Sequence, residues 1–219
     1  MPNPSLTRIV FLLDRSGSMA SIRTDVIGGF DAFLTEQRAG QGDCTVTLAQ
    51  FDNEYEVVYQ GIPLADVPPL ALLPRGGTAL FDSMGRVITD TAAEIAAMPE
   101  ADRPGTVVVA IMTDGMENSS KEWRQSDVRA LVERQTDEHG WEFLYMGADQ
   151  DAVEVGRGLG VREGQSITYS RGRSREAMAA ASGNLRGYRT ARIADPAAMM
   201  PEFTDDQRAH LAADDAATS

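Results

Sequence analysis

The 219-residue chain has little of several things. It has one cysteine (Cys44), one lysine (Lys121) and two histidines (His139 and His210). One cysteine excludes an internal disulfide and a Cys-rich zinc site. Two histidines far apart in sequence leave few routes to a Ser-His-Asp triad. The sequence also lacks a long apolar run. Ile9 to Leu13 is far too short to span a bilayer. Met1 to Leu6 carries two prolines and no basic cluster, so no secretory signal is read there. Basic excess is missing too: the net charge is −13. That acidity excludes a general nucleic-acid binder, because nothing offsets repulsion from phosphates. The composition is nevertheless that of a folded chain, with 42% hydrophobic residues. The expectation is a soluble cytoplasmic protein with no nucleic-acid or membrane partner. The oligomeric state is left open.

The charge is unevenly placed. Arg171, Arg173, Arg175, Arg186, Arg189 and Arg192 stand against one acid, Glu176, a local balance of +5. Residues 193–219 hold six acids and one arginine, Arg208, a balance of −5. The acidity therefore belongs to the body. The arginines read as a solvated helix face, with an acidic partner or the acidic body as the alternative contact.

Thr7–Leu13 and Thr106–Met112 are nearly continuous apolar runs, the pattern of strands buried on both faces. Thr45–Phe51 and Tyr55–Tyr59 read as a hairpin, and Gly61 to Gly77 as loop. Helical spacing follows from Ile22, from Leu80 and from Trp123, with ends near Gly40, Pro99 and Gly140. Trp141–Met146 and Ser166–Tyr169 complete the strands, and a last helix runs from Ser174. Strands alternating with helices imply an α/β fold: a doubly wound, mostly parallel sheet with one antiparallel edge strand and helices on both faces. Residues 1–195 form the expected domain. Residues 196–219 read as an acidic, flexible tail.

Three polar clusters fall at the carboxyl edge of this sheet, where ligands bind in such folds. They are Asp14-Arg15-Ser16-Gly17-Ser18 after the first strand, Gly76-Gly77-Thr78 before a helix, and Thr113-Asp114-Gly115 after TVVVAIM. Together they supply two carboxylates and at least three hydroxyls. Hard oxygen donors suit Mg²⁺, Mn²⁺ or Ca²⁺ rather than zinc. The competing reading makes Ser16, Ser18 and Thr78 helix caps with no metal.

The order and spacing of these clusters resemble the von Willebrand factor A (vWA) family. The likeness is to standalone bacterial and phage proteins of that family, particularly around Thr113–Asn118 and Gly147–Asp151. The resemblance implies a Rossmann-like domain with a metal-ion-dependent adhesion site (MIDAS). It implies that Ser16, Ser18 and Thr78 ligate the metal, and that Asp14 and Asp114 act directly or through water. A partner protein would offer an Asp or Glu carboxylate to the remaining position, which implies binding rather than catalysis.

The alternative is a Mg²⁺-dependent hydrolase or phosphotransferase at the same edge. Against it stand the lack of a base, of a nearby lysine and of a GxxxxGK loop. Gly156–Gly160 follows a helical stretch and is discounted as a dinucleotide loop. Asp52, Asp82 and Asp149 fall near the same edge, while Glu117 and Asn118 read as solvated loop. Tail carboxylates Asp205, Asp206, Asp214 and Asp215 offer a further occupant for the metal.

Overall fold

The structure is a computed structural model, and it describes residues 1–213. Six strands form one sheet: β1 (Asn3–Asp14), β2 (Asp43–Phe51), β3 (Tyr55–Pro63), β4 (Pro104–Thr113), β5 (Glu142–Ala148) and β6 (Ser166–Tyr169). Their order is β3-β2-β1-β4-β5-β6, and only β3 runs antiparallel to its neighbour. The helices are α1 (Arg23–Arg38), α2 (Leu80–Ala97), α3 (Gln125–His139), α4 (Ala152–Gly158), α5 (Ser174–Ala194) and α6 (Asp205–Ala212).

The unbroken apolar strands follow from burial on both faces. In β1, Ile9, Phe11 and Leu13 point into a core shared with α1 and α5. Val10 and Leu12, one residue out of phase, enter a second core under α2 and α3. A period-2 strand with both faces covered must be apolar at every position. β1 therefore ends where polarity begins, at Asp14, which is paired through the ladder with Phe51 of β2. Chain order reverses between β1 and β4, which are direct neighbours. The loops leaving them diverge and open a crevice at the carboxyl edge.

Elsewhere the structure extends or corrects the sequence reading. β3 continues through Gly61 and Ile62 to Pro63, with register shifts against β2, into residues expected to be loop. Trp123 lies ahead of α3 rather than on it, and its indole lies flat over Gly85 of α2. A β-carbon built at Gly85 would stand 2.2 Å from the ring. Gly85→Ala is thus expected to lower stability by roughly 1–3 kcal/mol. Urea unfolding measures the loss, and the tryptophan emission of the native state reports displacement of Trp123.

The flexible tail expected from residue 196 is corrected over residues 196–213. Met200, Phe203 and Leu211 are buried in the α1–α5 core. Thr204 and Gln207 form a capping box on α6. Asp205 and Asp206 sit in its first turn, exposed, where negative charge favours the helix dipole. Asp214 and Asp215 lie outside the described residues.

The arginines are corrected as well. Arg189 is buried, Arg171 pairs with Asp149, and Arg186 pairs with Glu36. Arg192 reaches Gly105 and Thr106. The segment is thus part tether and part solvated face: Arg189 is buried, while Arg171, Arg175 and Arg186 stay exposed. Cys44 is a buried core residue, as expected, and burial pushes its thiol up to about 11. Among the described residues no helix is long and apolar enough to cross a membrane.

Candidate functional site

The loops after β1 and β4 bring Asp14, Ser16, Ser18 and Asp114 into one hydrogen-bonded chain. Asp14 Oδ1 accepts from the Ser16 amide at 2.6 Å, and Asp14 Oδ2 accepts from the Thr113 hydroxyl at 2.6 Å. The Ser16 and Ser18 hydroxyls are 3.0 Å apart. Ser18 donates to Asp114 Oδ1 at 2.5 Å. Thr78 closes the group through Gly115: a β-carbon on Gly115 would stand 2.7 Å from Thr78 Oγ1 and 3.7 Å from Asp14 Oδ2. Only glycine lets these three residues approach. The structure thus brings together all five residues singled out in the sequence.

None of the three hydroxyls caps a helix. Position N-cap belongs to Ile22 in α1 and to Ala79 in α2, and neither carries a side-chain cap hydrogen bond. Ser16 occupies the N-cap position of a short 3-10 turn, Gly17–Ser21, also without a side-chain cap hydrogen bond, so the helix-capping part of the alternative is not seen.

The electrostatics are those of a buried acidic pair. Asp14, Ser16, Thr78 and Asp114 are buried, and Ser18 forms the exposed side. Burial pushes the Asp14 carboxyl up to about 6, against the hydrogen bonds from Thr113 and Ser16, with the neighbouring Asp114 charge adding to the rise. Burial also raises Asp114, offset in part by Ser18 and Arg171. Asp114 Oδ2 is buried and has no hydrogen-bond partner. The nearest cationic group is an Arg171 Nη atom at 3.8 Å, beyond hydrogen-bond reach, which leaves room for a closer cation or donor. Among the described residues no three His, Cys, Asp or Glu side chains are grouped to hold a metal. Any metal here must draw on the hydroxyls.

Comparison with solved structures places this architecture. A von Willebrand factor type A protein from Catenulispora acidiphila is similar over 85% of this chain and 42% of its own, at 16% identity and TM-score 0.52. The vWF domain of the type V pili tip protein Mfa5 from Porphyromonas gingivalis is similar over 82% of this chain and 94% of its own, at 12% identity and TM-score 0.58. The chain has the vWA fold. Proximal thread matrix protein 1 from the mussel byssus, in a structure with a zinc-occupied MIDAS motif, is similar over 80% of this chain and 46% of its own, at 16% identity and TM-score 0.56. The chain spans less than half the length of the byssal and Catenulispora proteins. Neither a family model nor a curated protein sequence matches it.

Within this vWA fold the site rests on a second layer of contacts. Asp52 fastens three loops. Its Oδ2 accepts from Arg15 at 2.9 Å and from Arg75 at 2.7 Å, and its carbonyl accepts from the Ala79 amide at 2.9 Å. Burial pushes the Asp52 carboxyl up, but the hydrogen bonds from Arg75, the Glu54 amide and Arg15 outweigh it and hold it below its ordinary value. The Gly17 amide donates to the Gly76 carbonyl at 3.1 Å. The DxSxS loop and the Gly-Gly-Thr loop are thereby stitched together.

Asn118 brackets Thr78: its Oδ1 accepts from the Thr78 amide at 2.9 Å, and its own amide donates to the Thr78 carbonyl at 3.0 Å. Glu117 accepts from the Phe81 amide at the start of α2. Both residues lie in the loop the sequence suggested, Asn118 exposed and Glu117 half-buried, and both hold backbone groups of the Thr78 segment. Asp82 faces away and accepts the amides of Lys121, Glu122 and Trp123. Asp149 stands at the rim, joined to Arg171. The histidines are elsewhere. His139 lines a cavity with Pro2, Pro104 and Trp141 at the opposite edge of the sheet, and His210 pairs with Glu176.

Proposed function

We propose that this chain is a divalent-cation-dependent protein-binding domain. Asp14, Ser16, Ser18, Thr78 and Asp114 would hold the ion, and a partner protein would supply an Asp or Glu carboxylate to it. The observation that carries this reading is the convergence of two buried carboxylates and three hydroxyls at the sheet's switch point, with an Asp114 oxygen that accepts no hydrogen bond.

The donor set is all oxygen, which suits Mg²⁺ first, with Mn²⁺ and Ca²⁺ as further candidates. A cation there would balance the two carboxylates that burial otherwise drives towards protonation. Neutral hydroxyl ligands leave much of the metal's charge unshielded, so it attracts an external anion. The zinc-occupied MIDAS motif of the byssal protein supports metal binding by this fold.

We read the site as a binder rather than an enzyme, because both histidines lie away from it and its two carboxylates are taken up by the proposed ion. Similar folds in a pilus tip protein and a byssal matrix protein favour the same reading. A cytoplasmic setting belongs to the proposal. So does the expectation of neither nucleic acid nor membrane as partner, given a net charge of −13.

Titration calorimetry tests the metal step. Mg²⁺ and Mn²⁺ should bind the wild type once per chain, and Ser16→Ala should weaken binding at least tenfold, about 1.4 kcal/mol. Equal binding by the variant would sink the assignment. The partner step is tested by affinity capture from native cells: a protein retained in Mg²⁺, released by EDTA and absent with Asp114→Ala is the expected result.

A further inference from the structure

Arg171 opens the turn after β6, at the same edge as the site. It is half-exposed, and its guanidinium spans two acids. Nε stands 2.9 Å from Asp149 Oδ2, and an Nη atom stands 3.8 Å from Asp114 Oδ2, the buried oxygen without a hydrogen-bond partner. Two anchors fix this position. Asp149 adopts a left-handed backbone, φ 49°, uncommon outside glycine but tolerated by Asp, and its amide donates to the Tyr169 carbonyl at 3.0 Å. Ser170, next to Arg171, donates its amide to the Leu211 carbonyl at the end of α6 at 2.8 Å. The chain just before the arginine is thus pinned, and its side chain is held by Asp149 beside the site.

We propose that Arg171 is a ligand-selecting residue of the site: a fixed cation beside the metal that contacts the partner's carboxylate and disfavours neutral ligands. This deepens the metal-binding reading and rests on it. A guanidinium carries five donors, of which Nε is engaged by Asp149. The outward donors are free in direction to meet a carboxylate, which a planar fork recognises better than an ammonium does. The same charge repels a divalent ion. Arg171 therefore weakens metal binding on its own and strengthens anion binding to the metal-loaded site. By linkage, an anion that offsets the repulsion raises metal affinity in turn.

Opposite signs for the two ligands separate this role from a structural one. Mn²⁺ is titrated into wild type and Arg171→Gln, with water-proton relaxation as the readout. Acetate is then added at constant ionic strength as the carboxylate probe, displacing Mn²⁺-bound water. Arg171→Gln should bind Mn²⁺ about five- to tenfold tighter, the size expected for removing a nearby like charge at the surface. It should need at least fivefold more acetate for the same displacement, and Arg171→Lys should recover only part of that loss. Equal or weaker Mn²⁺ binding by Arg171→Gln, with wild-type binding intact, overturns the role of Arg171 alone. Absence of Mn²⁺ binding in both proteins overturns the metal reading and this inference with it. An unchanged acetate midpoint removes Arg171 from the anion site.

Discussion

Asp14→Asn is expected to abolish divalent-cation binding and, at pH 7 in EDTA, to make the protein more stable than the wild type. Asp14 is wholly buried, and burial raises its carboxyl from 3.8 to about 6. A raised folded-state value has a definite sign. Below pH 4 the group is neutral in both folded and unfolded chains, and its contribution is fully present. As pH rises from about 4 to 6, the unfolded chain ionises first and stability is lost. Above pH 6 the loss is complete, at roughly 3 kcal/mol for a shift of this size.

Asparagine removes the charge and keeps the bonds. Its Oδ1 can accept from the Ser16 amide, and its Nδ2 can donate to Thr113 Oγ1, whose hydroxyl has the Gly115 carbonyl as an alternative acceptor at 3.1 Å. Thermal unfolding at pH 5 and pH 7, with EDTA and with saturating Mg²⁺, measures all of this. In EDTA the variant should exceed the wild type by several degrees at pH 7 and by about half as much at pH 5. Mg²⁺ should raise the midpoint of the wild type alone. A variant less stable than wild type at pH 7 in EDTA, or one equally stabilised by Mg²⁺, would refute the account of a buried charge awaiting a cation.

Asp14 could be found from the sequence because its position is local information. A both-faces-buried strand must stay apolar until it leaves the core, so Ile9–Leu13 and Thr106–Met112 mark their own ends. The residues just past those ends, Asp14 to Ser18 and Thr113 to Gly115, necessarily meet at the carboxyl edge once the strands are neighbours. Thr78 was readable for its place at the start of a helix. Its supports were not. Asn118 is 40 residues away and Asp52 26, and nothing in a loop's composition says which backbone it will hold.

The segment after Pro196 failed for a different reason. It contributes single anchors, Met200, Phe203 and Leu211, between irregular stretches. Periodicity detects faces, and a segment held by isolated side chains has none. α6 in addition is short and polar, and a capping box at Thr204 rather than an apolar stripe defines its start.

The second large effect belongs to Arg189, which composition placed on a solvated face and the structure buries at 2% exposure. Among the described residues no carboxylate pairs with it. One Nη atom donates to the Gln37 carbonyl at 3.0 Å and to Gln37 Oε1 at 3.1 Å; the other donates to the carbonyls of Gln41 and Gly42 at 3.3 and 3.2 Å. α1 ends at Arg38, so these carbonyls lie at the helix C-terminus and in the following turn; that of Gln37 also accepts from the Gly40 amide at 3.1 Å. The guanidinium caps α1 from α5, and the partial negative charge there favours it. Gln37 extends the contact by donating to the Ser182 carbonyl at 2.9 Å and to its hydroxyl at 2.8 Å.

Arg189→Met keeps the bulk and removes the donor to the buried Gln37 side-chain oxygen and carbonyl, and to the carbonyls of Gln41 and Gly42, which are exposed to water. The expected loss is about 2–3 kcal/mol, or roughly 5–10 °C in midpoint for a chain of this length. Lysine should recover little, since one ammonium cannot serve both groups of acceptors. Arg186→Ala, on the same helix, breaks a half-exposed pair with Glu36 and should cost under about 1 kcal/mol. Chemical denaturation of the three variants gives the comparison directly. A loss for Arg189→Met no larger than that for Arg186→Ala would mean that α1 needs no cap from α5.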